Sequence, residues 1–148
     1  QAAKEGSAYA DAVTFLRTGK ELLGDAGWQA HWALAFEIHL GLAEAEWLLG
    51  QTEIGETLFQ LCLERAPDRL ARGRVTTVWV MLLTITGRFA DAIERGLSIL
   101  EELGWSFPKK SDDFGNHVIL RKVRILFRAI GLIVRIHENE FSIAARKL

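Results

Sequence analysis

Apolar side chains recur every three or four positions along most of the chain, which is the spacing expected for amphipathic α-helices. One stripe at this spacing carries large side chains and consists of Trp28, Trp32, Phe36 and Leu40. Strict alternation of apolar and polar residues, which would indicate half-buried strands, does not extend beyond a few positions. The pattern therefore predicts an all-α fold. Helices are expected at about residues 7–23, 29–49, 52–65, 69–86, 89–103, 116–137 and 139–147.

Two glycines mark the ends of apolar helical segments. Gly50 and Gly87 each follow an apolar run, precede a new helical segment and lie 37 positions apart. Glycine readily adopts the left-handed conformation that closes a helix. The connections at these glycines are two or three residues long, so the flanking helices are expected to fold back as antiparallel hairpins.

The chain also repeats itself over a longer interval. The run Tyr-Ala-Asp-Ala-Val at residues 9–13 returns 80 positions later as Phe-Ala-Asp-Ala-Ile at 89–93. Glu-Leu-Leu-Gly at 21–24 returns after the same interval as Glu-Glu-Leu-Gly at 101–104. Repeats of this kind are typical of helical arrays, in which each unit buries its apolar face against its neighbours. We expect a single helical-repeat domain with about three hairpins and one or two closing helices. The hairpin units are expected at about 1–27, 28–67 and 68–108, and the closing helices within 109–148.

The composition is that of a globular protein, since 49% of the 148 residues are hydrophobic and 25% are charged. No stretch reaches the roughly 18 uncharged apolar residues that a transmembrane helix needs. Cys62 is the single cysteine, which excludes an intramolecular disulfide and is consistent with a reducing compartment. We therefore expect a cytoplasmic location. Because the first residue is Gln1 rather than Met, we expect the sequence to be part of a longer chain.

The net charge of −1 hides an asymmetry between the two ends of the chain. Residues 1–64 carry three basic and ten acidic side chains, whereas residues 65–148 carry fifteen basic and nine acidic ones. A general nucleic-acid binder needs a broad basic surface, which the acidic end does not provide. No nucleic-acid partner is therefore expected.

A short run resembles part of a phosphate-binding loop. Thr18, Gly19 and Lys20 stand in the right order, but Thr14 replaces the required earlier glycine and Glu21 replaces the required Ser or Thr. The run also lies within a helical segment, whose amides are already hydrogen-bonded. We expect these residues to lie on a helix surface.

The four histidines do not have the neighbours that a metal site needs. Helical metal sites place ligands three or four positions apart with a third ligand nearby. His39 has Ala35 and Ala43 one turn away on either side, and His31 has no second ligand near it. We expect no bound metal, and we expect His39 to be a residue at the edge of the core that bonds to a backbone carbonyl. The remaining histidines are His117 and His137.

Candidate nucleophiles and carboxylates are also given structural interpretations. Cys62 lies in an apolar run with no basic residue in the preceding turn to lower the thiol pKa, so a buried, unreactive thiol is expected. Ser98 lies in mid-helix without a nucleophile-elbow motif. Glu44 and Glu46 are two positions apart and point in different directions, so we expect them and Glu53 to be solvated or to line a groove. The sequence thus predicts no catalytic residue, no cofactor and no enzymatic activity in this segment.

Two segments resemble tetratricopeptide units. In the first, Gly50 closes the hairpin, Phe59 would pack between the helices, and Pro67 ends the unit. The second, Thr-Gly-Arg-Phe-Ala-Asp-Ala at 86–92, has the glycine, aromatic and alanine of the pattern. The segment around Gly50 has Thr52 where an aromatic residue is usual and Gly55 where a small alanine is usual, so a looser hairpin is expected there.

Residues 3–108 resemble more specifically the helical region of large bacterial signalling proteins. The residues that carry this resemblance are Tyr9, the run from Trp28 to Gly50, and the run from Gly87 to Gly104. In those proteins this region follows a predicted ATPase domain. A serine/threonine kinase domain often lies upstream and a sensor histidine kinase downstream. The resemblance implies a signalling role for the longer chain and places catalysis in its other domains.

The repeat resemblance also implies a partner-binding surface, since helical repeats hold peptides on their concave face. Trp47 lies beside Glu44 on the corresponding face. Packing against neighbouring units is the alternative interpretation. The residues implied are Glu37, Glu44, Trp47, Arg74, Thr77, Met81 and Thr84.

Residues 117–137 form a second candidate contact surface, since basic residues occur there without an acid. They include Arg121, Lys122, Arg124 and Arg128. The rest of the segment is largely apolar, so it must be covered on more than one side. It could cap the repeat stack, or it could contact an adjacent domain or a second copy of the chain in a homodimer. A membrane-surface helix is the least favoured interpretation.

Three functions remain open. The leading hypothesis is a non-catalytic interaction module in a bacterial signal-transduction protein, which contacts flanking domains or a protein partner. The second is a free-standing adaptor that binds a short peptide in the concave groove. The third is a small-molecule sensor, in which Trp28, Trp32 and Phe36 either line a ligand pocket or fill it.

Overall fold

The computed structural model describes residues 2–104, with side chains from Gly6 onward. The chain divides between Pro67 and Asp68 into two compact units, each of which is described by itself. All regular secondary structure in residues 2–104 is helical, as the sequence predicts. The predicted closing helices within 109–148 lie outside the described residues.

The first unit contains four helices. They are α1 (Ala2–Leu23), α2 (Gly27–Ala30), α3 (Trp32–Leu48) and α4 (Thr52–Arg65). Helix α3 is central, since α1, α2 and α4 all pack against it. The first predicted hairpin unit, 1–27, thus contributes one long helix, which pairs with α3.

The second unit, as far as it is described, is a hairpin of α5 (Arg69–Ile85) and α6 (Phe89–Glu102). Its first helix follows Pro67 and begins at an N-cap, because the Ala71 amide donates a hydrogen bond to Asp68 Oδ1 at 2.8 Å. Asp is among the preferred N-cap residues because its carboxylate satisfies an amide that has no partner within the helix.

The hairpins α3–α4 and α5–α6 are copies of one repeat. Helices α3 and α5 both have 17 residues, helices α4 and α6 both have 14, and each second copy begins 37 positions after the first. This interval equals the separation of Gly50 and Gly87 in the sequence. The repeat expected from the sequence is therefore present as two hairpins of equal helix lengths.

Both hairpins turn through the same glycine-centred connection. Gly50 and Gly87 have φ of 84° and 79°, in the left-handed region that the sequence predicts for them. The Gly50 amide donates to the Trp47 carbonyl and the Gln51 amide to the Glu46 carbonyl, at 2.9 Å each. These bonds form the Schellman motif, which satisfies the last carbonyls of a helix. The amides of Gly87 and Arg88 make the equivalent pair of bonds at the end of α5.

The helix predicted over 29–49 is wrong at its start, because His31 interrupts it with φ of −141° and ψ of 53°. In a continuous helix, Trp28 and His39 would lie about 16 Å apart along the axis. The interruption instead brings their ring centroids to 4.6 Å. Trp28 is buried, with its ring against that of His39.

Glycines allow close helix packing in the first unit. A Cβ atom added at Gly55 of α4 would lie 3.0 Å from the Ala43 carbonyl oxygen and 3.3 Å from the Trp47 Cβ of α3. The expected looser hairpin is therefore wrong, because the missing methyl group lets α4 approach α3 closely. Phe59 is fully buried between these helices, as the repeat resemblance implies.

Candidate interaction surfaces

The predicted acidic residues on α3 share one face of the helix. Glu37 and Glu44 are seven positions apart, which is close to two helical turns. Glu37 is exposed and Glu44 is half-buried. The first unit therefore offers two carboxylates on one side of its central helix.

Trp47 occupies a different environment from these carboxylates. Its side chain is only 2% exposed, and its ring meets the Phe59 ring edge-on with centroids 6.3 Å apart. It lies directly beside Gly55. Trp47 is therefore part of the hydrophobic core of the α3–α4 hairpin, and its role in partner binding stays a prediction.

The predicted residues on α5 are all half-buried and follow one another at helical spacing. They are Arg74, Thr77, Met81 and Thr84. The hydroxyl of Thr77 donates to the Gly73 carbonyl at 2.8 Å, and that of Thr84 to the Val80 carbonyl at 2.7 Å. Each hydroxyl oxygen keeps acceptor capacity for another group.

The second predicted contact surface lies outside the described residues. It comprises Arg121, Lys122, Arg124 and Arg128.

The expectation that Glu46 is solvated or lines a groove is wrong, because this carboxylate is buried. Its side chain is 2% exposed, and Oε1 accepts hydrogen bonds from Arg17 Nε at 3.0 Å and Nη2 at 2.6 Å. The pair joins α1 to α3 across 29 positions of sequence. No local pattern indicates such a pair, although a basic residue on the apolar side of α1 was a possible signal.

His39 is buried more deeply than the expected edge of the core, and it makes the predicted bond to a backbone carbonyl. Its Nδ1 lies 2.7 Å from the Ala35 carbonyl oxygen. Since a carbonyl oxygen can only accept a hydrogen bond, Nδ1 is the donor. Burial is the main cause that lowers the His39 pKa. The Ala35 hydrogen bond opposes this shift and the positive charge of Lys20 adds to it. The lowered pKa favours the neutral imidazole, whose ring lies against that of Trp28.

Cys62 is fully buried, which agrees with the expected unreactive thiol. Burial, with a smaller contribution from Glu37, raises the thiol pKa to about 12. The thiolate is the nucleophilic form of cysteine, and almost none of the Cys62 thiol is in this form near neutral pH.

The aromatic residues considered for a ligand pocket contact protein groups instead. Trp32 stacks on Phe36 with ring centroids 4.8 Å apart, and its indole nitrogen donates to the Arg65 carbonyl at 2.9 Å. The Arg65 guanidinium lies 5.9 Å from the centre of the Trp28 ring. These side chains bind the start of α3 to the end of α4.

The α5–α6 hairpin contains two polar contacts that the sequence interpretation missed. The Arg95 guanidinium lies 3.4 Å from the centre of the buried Trp79 ring. Arg72 Nε donates to Glu102 Oε2 at 2.7 Å, and this hydrogen bond is the main cause that lowers the Glu102 pKa. Both contacts lie between the first and second helices of the repeat.

The described part of the chain contains neither a cluster of metal ligands nor a helix suited to cross a membrane. Within residues 2–104, no group of three or more His, Cys, Asp or Glu side chains is placed to hold a metal ion. None of the described helices combines the length and apolarity required to span a bilayer.

Comparison with known proteins gives one informative similarity. Over 80 residues, or 54% of this chain, the sequence is 30% identical to hybrid signal transduction histidine kinase G of Dictyostelium discoideum. The chain spans only about 2% of that protein's length. No protein-family model matches the chain, and no solved structure matches it. The chain is thus similar to a segment of a signal-transduction protein, while tetratricopeptide membership and a bacterial origin stay predictions.

Proposed function

We propose that this chain is a non-catalytic interaction module of a signal-transduction protein. It contacts flanking domains of the same polypeptide, or a protein partner, through the exposed sides of its first helices, α3 and α5. The observation that carries the proposal is the exact 37-residue repetition of the α3–α4 and α5–α6 hairpins. Proteins built from repeated helical hairpins provide extended binding surfaces.

The side chains on these helices support the proposal. Glu37 and Glu44 on α3, and Arg74 and Thr77 on α5, are exposed or half-buried. They supply carboxylate, guanidinium and hydroxyl groups, which suit the polar contacts of a protein interface.

The environments of the potentially reactive groups also favour a non-catalytic role. The Cys62 thiol is buried with a raised pKa, and His39 is buried with its Nδ1 hydrogen-bonded to a backbone carbonyl. Both side chains thus serve the core of the first unit. The similarity to a histidine kinase supports a signalling context, with any catalysis in other domains.

Photo-crosslinking in the source cells tests this proposal. A photoreactive phenylalanine analogue is introduced in the native polypeptide at Glu37 or Thr77, on the first helices. The matched controls carry it at Glu53 or Glu94, which are exposed on the second helices. We expect several-fold more crosslinked product from the first-helix positions than from the controls.

Mass spectrometry of the crosslinked peptides then separates two versions of the role. Peptides from other domains of the same polypeptide identify an interdomain contact, and peptides from another protein identify a partner. Equal yields at first-helix and second-helix positions would contradict the proposal.

A further inference from the structure

Helix α1 is related to the second helices of the repeat. The sequence match at an interval of 80 pairs α1 with α6, and both helices end at glycines of positive φ, Gly24 and Gly104. Since α6 is itself 37 positions after α4, Ala12, Gly55 and Ala92 occupy one repeat position.

In the hairpins, this position faces the first helix. Gly55 abuts Ala43 and Trp47 of α3, and Ala92 is fully buried in the α5–α6 hairpin. Ala12 is only half-buried.

Two further repeat positions extend the comparison. Arg95 and Glu102 of α6 contact Trp79 and Arg72 of α5. Their counterparts on α1, 80 positions earlier, are Phe15 and Leu22. These two side chains are 77% and 84% exposed. Together, Ala12, Phe15 and Leu22 define the α1 apolar face.

Helix α1 uses other residues to contact the rest of its unit. Gly19 and Leu16 lie against Ile38 and Gly41 of α3, and Arg17 bonds Glu46. Gly19 is four positions after Phe15 and three before Leu22, so the α1 apolar face borders the contact with α3. Phe15 and Leu22 nevertheless remain exposed after α1 has packed on α3.

We propose that the α1 apolar face binds the first helix of another repeat hairpin, antiparallel to α1. In the α5–α6 hairpin, Arg72 and Trp79 are seven positions apart and face Glu102 and Arg95 in antiparallel order. Since α1 carries Leu22 and Phe15 at those second-helix positions, its occupant carries two apolar residues seven positions apart.

Helix α3 has two apolar residues at this spacing. They are Ala35 and Leu42, which correspond in the repeat to Arg72 and Trp79 of α5. A copy of α3 is therefore a suitable probe. This proposal rests on the repeat register and is independent of the proposed signalling function.

The experiment replaces residues 1–8 with a copy of residues 32–51, which comprise α3 and its turn. Tyr9 corresponds in the repeat to Thr52, the first residue of α4. The copied Gln51 is therefore joined to Tyr9, just as Gln51 is followed by Thr52 in the natural hairpin. The melting temperature is compared with that of the 148-residue chain. We expect an increase of about 5 °C, since a domain of this size shifts by a few degrees per kcal/mol. The double change Phe15→Gln and Leu22→Gln should abolish the increase. The control pair Leu34→Gln and Ile85→Gln, at exposed apolar residues elsewhere, should retain it.

A disulfide tests the geometry separately, in the extended chain with Cys62→Ala. A Leu42→Cys change in the copied helix should crosslink with Phe15→Cys under mild oxidation, but not with Ala10→Cys, which is exposed and lies on another side of α1. An extended chain that does not fold, an increase that survives loss of Phe15 and Leu22, or equal crosslinking to both positions would overturn the proposal. A dimer of the 148-residue chain that Phe15→Gln and Leu22→Gln dissociate would also overturn it, since a second copy would then be the occupant.

Discussion

Arg17 donates two hydrogen bonds to a single carboxylate oxygen of Glu46, which is buried at the contact between α1 and α3. In the second hairpin, 37 positions later, the residue corresponding to Glu46 is the fully buried Leu83. An apolar side chain can therefore occupy this repeat position, and the carboxylate is specific to the first unit. Its partner is supplied by α1.

The ion pair predicts an asymmetric response to mutation. Arg17→Met should lower the free energy of unfolding by about 2–3 kcal/mol, because it leaves the Glu46 carboxylate buried without its cation. Glu46→Leu should cost less than about 1 kcal/mol, because buried ion pairs contribute little beyond well-packed hydrocarbon. Urea denaturation measures both changes.

The double change Arg17→Met and Glu46→Leu is the control for this prediction. Its stability should lie close to that of Glu46→Leu alone, since no buried charge is left unpaired. If the two single changes instead add in the double variant, the ion-pair explanation is wrong.

The glycines that close α3 and α5 make a second prediction. Gly50→Ala and Gly87→Ala should each lower the free energy of unfolding by about 1–2 kcal/mol, because both residues have positive φ. Gly6→Ala is the matched control, since Gly6 lies in α1 with nothing near an added Cβ. It should raise stability by up to about 1 kcal/mol through helix propensity. Equal effects at the three positions in chemical denaturation would exclude this explanation.

Close packing at Gly55 predicts a contrast between two helical glycines. Gly55→Ala should lower stability by about 1–2 kcal/mol, because its Cβ would press on the Ala43 carbonyl oxygen and overpacking outweighs the gain in helix propensity. At Gly41 an added Cβ would meet Leu16 at 3.6 Å, an ordinary contact, so Gly41→Ala should be neutral or stabilising. Thermal unfolding of the two variants measures the difference. If Gly55→Ala raised stability instead, α3 and α4 would have to be farther apart than the close packing at Gly55 requires.

His39 predicts a pH dependence of stability. Burial lowers the folded-state pKa of His39 below the ordinary histidine value of about 6.5, so the unfolded chain binds a proton that the folded chain does not. The stabilising contribution is therefore full above pH 6.5 and is lost as pH falls toward the folded pKa, at no more than about 1.4 kcal/mol per pH unit.

The variant His39→Leu should lack this part of the pH dependence, as measured by urea denaturation between pH 5 and 8. His31→Leu is the matched control because it removes an exposed histidine. It should keep the acid-side loss of stability. The assignment to His39 would be refuted if His39→Leu retained the whole loss.

Local patterns predicted much of the fold. The apolar spacing located the main helices, and Gly50 and Gly87 located the two hairpin turns, because helix periodicity and glycine conformation depend on neighbouring residues. The burial of Cys62 and the carbonyl bond of His39 also followed from their apolar surroundings.

Features that depend on distant residues were missed or misinterpreted. The carboxylate of Glu46 is buried because Arg17, on another helix, neutralises it. The interruption at His31 is linked to the contact between Trp28 and the His39 ring. Gly55 tightens its hairpin because of what α3 places opposite it. For the candidate site, the sequence indicated a helix face, but burial of Trp47 becomes evident only in the folded hairpin.

The proposed role inside a longer signalling polypeptide is tested most directly by the size of the native protein. An antibody raised against residues 1–148 is used for an immunoblot of the source cells under denaturing conditions, with protease inhibitors present from lysis. We predict a band many times larger than the 16.6 kDa of this chain. A band near 16.6 kDa as the primary product would contradict an embedded module and favour the free-standing peptide adaptor.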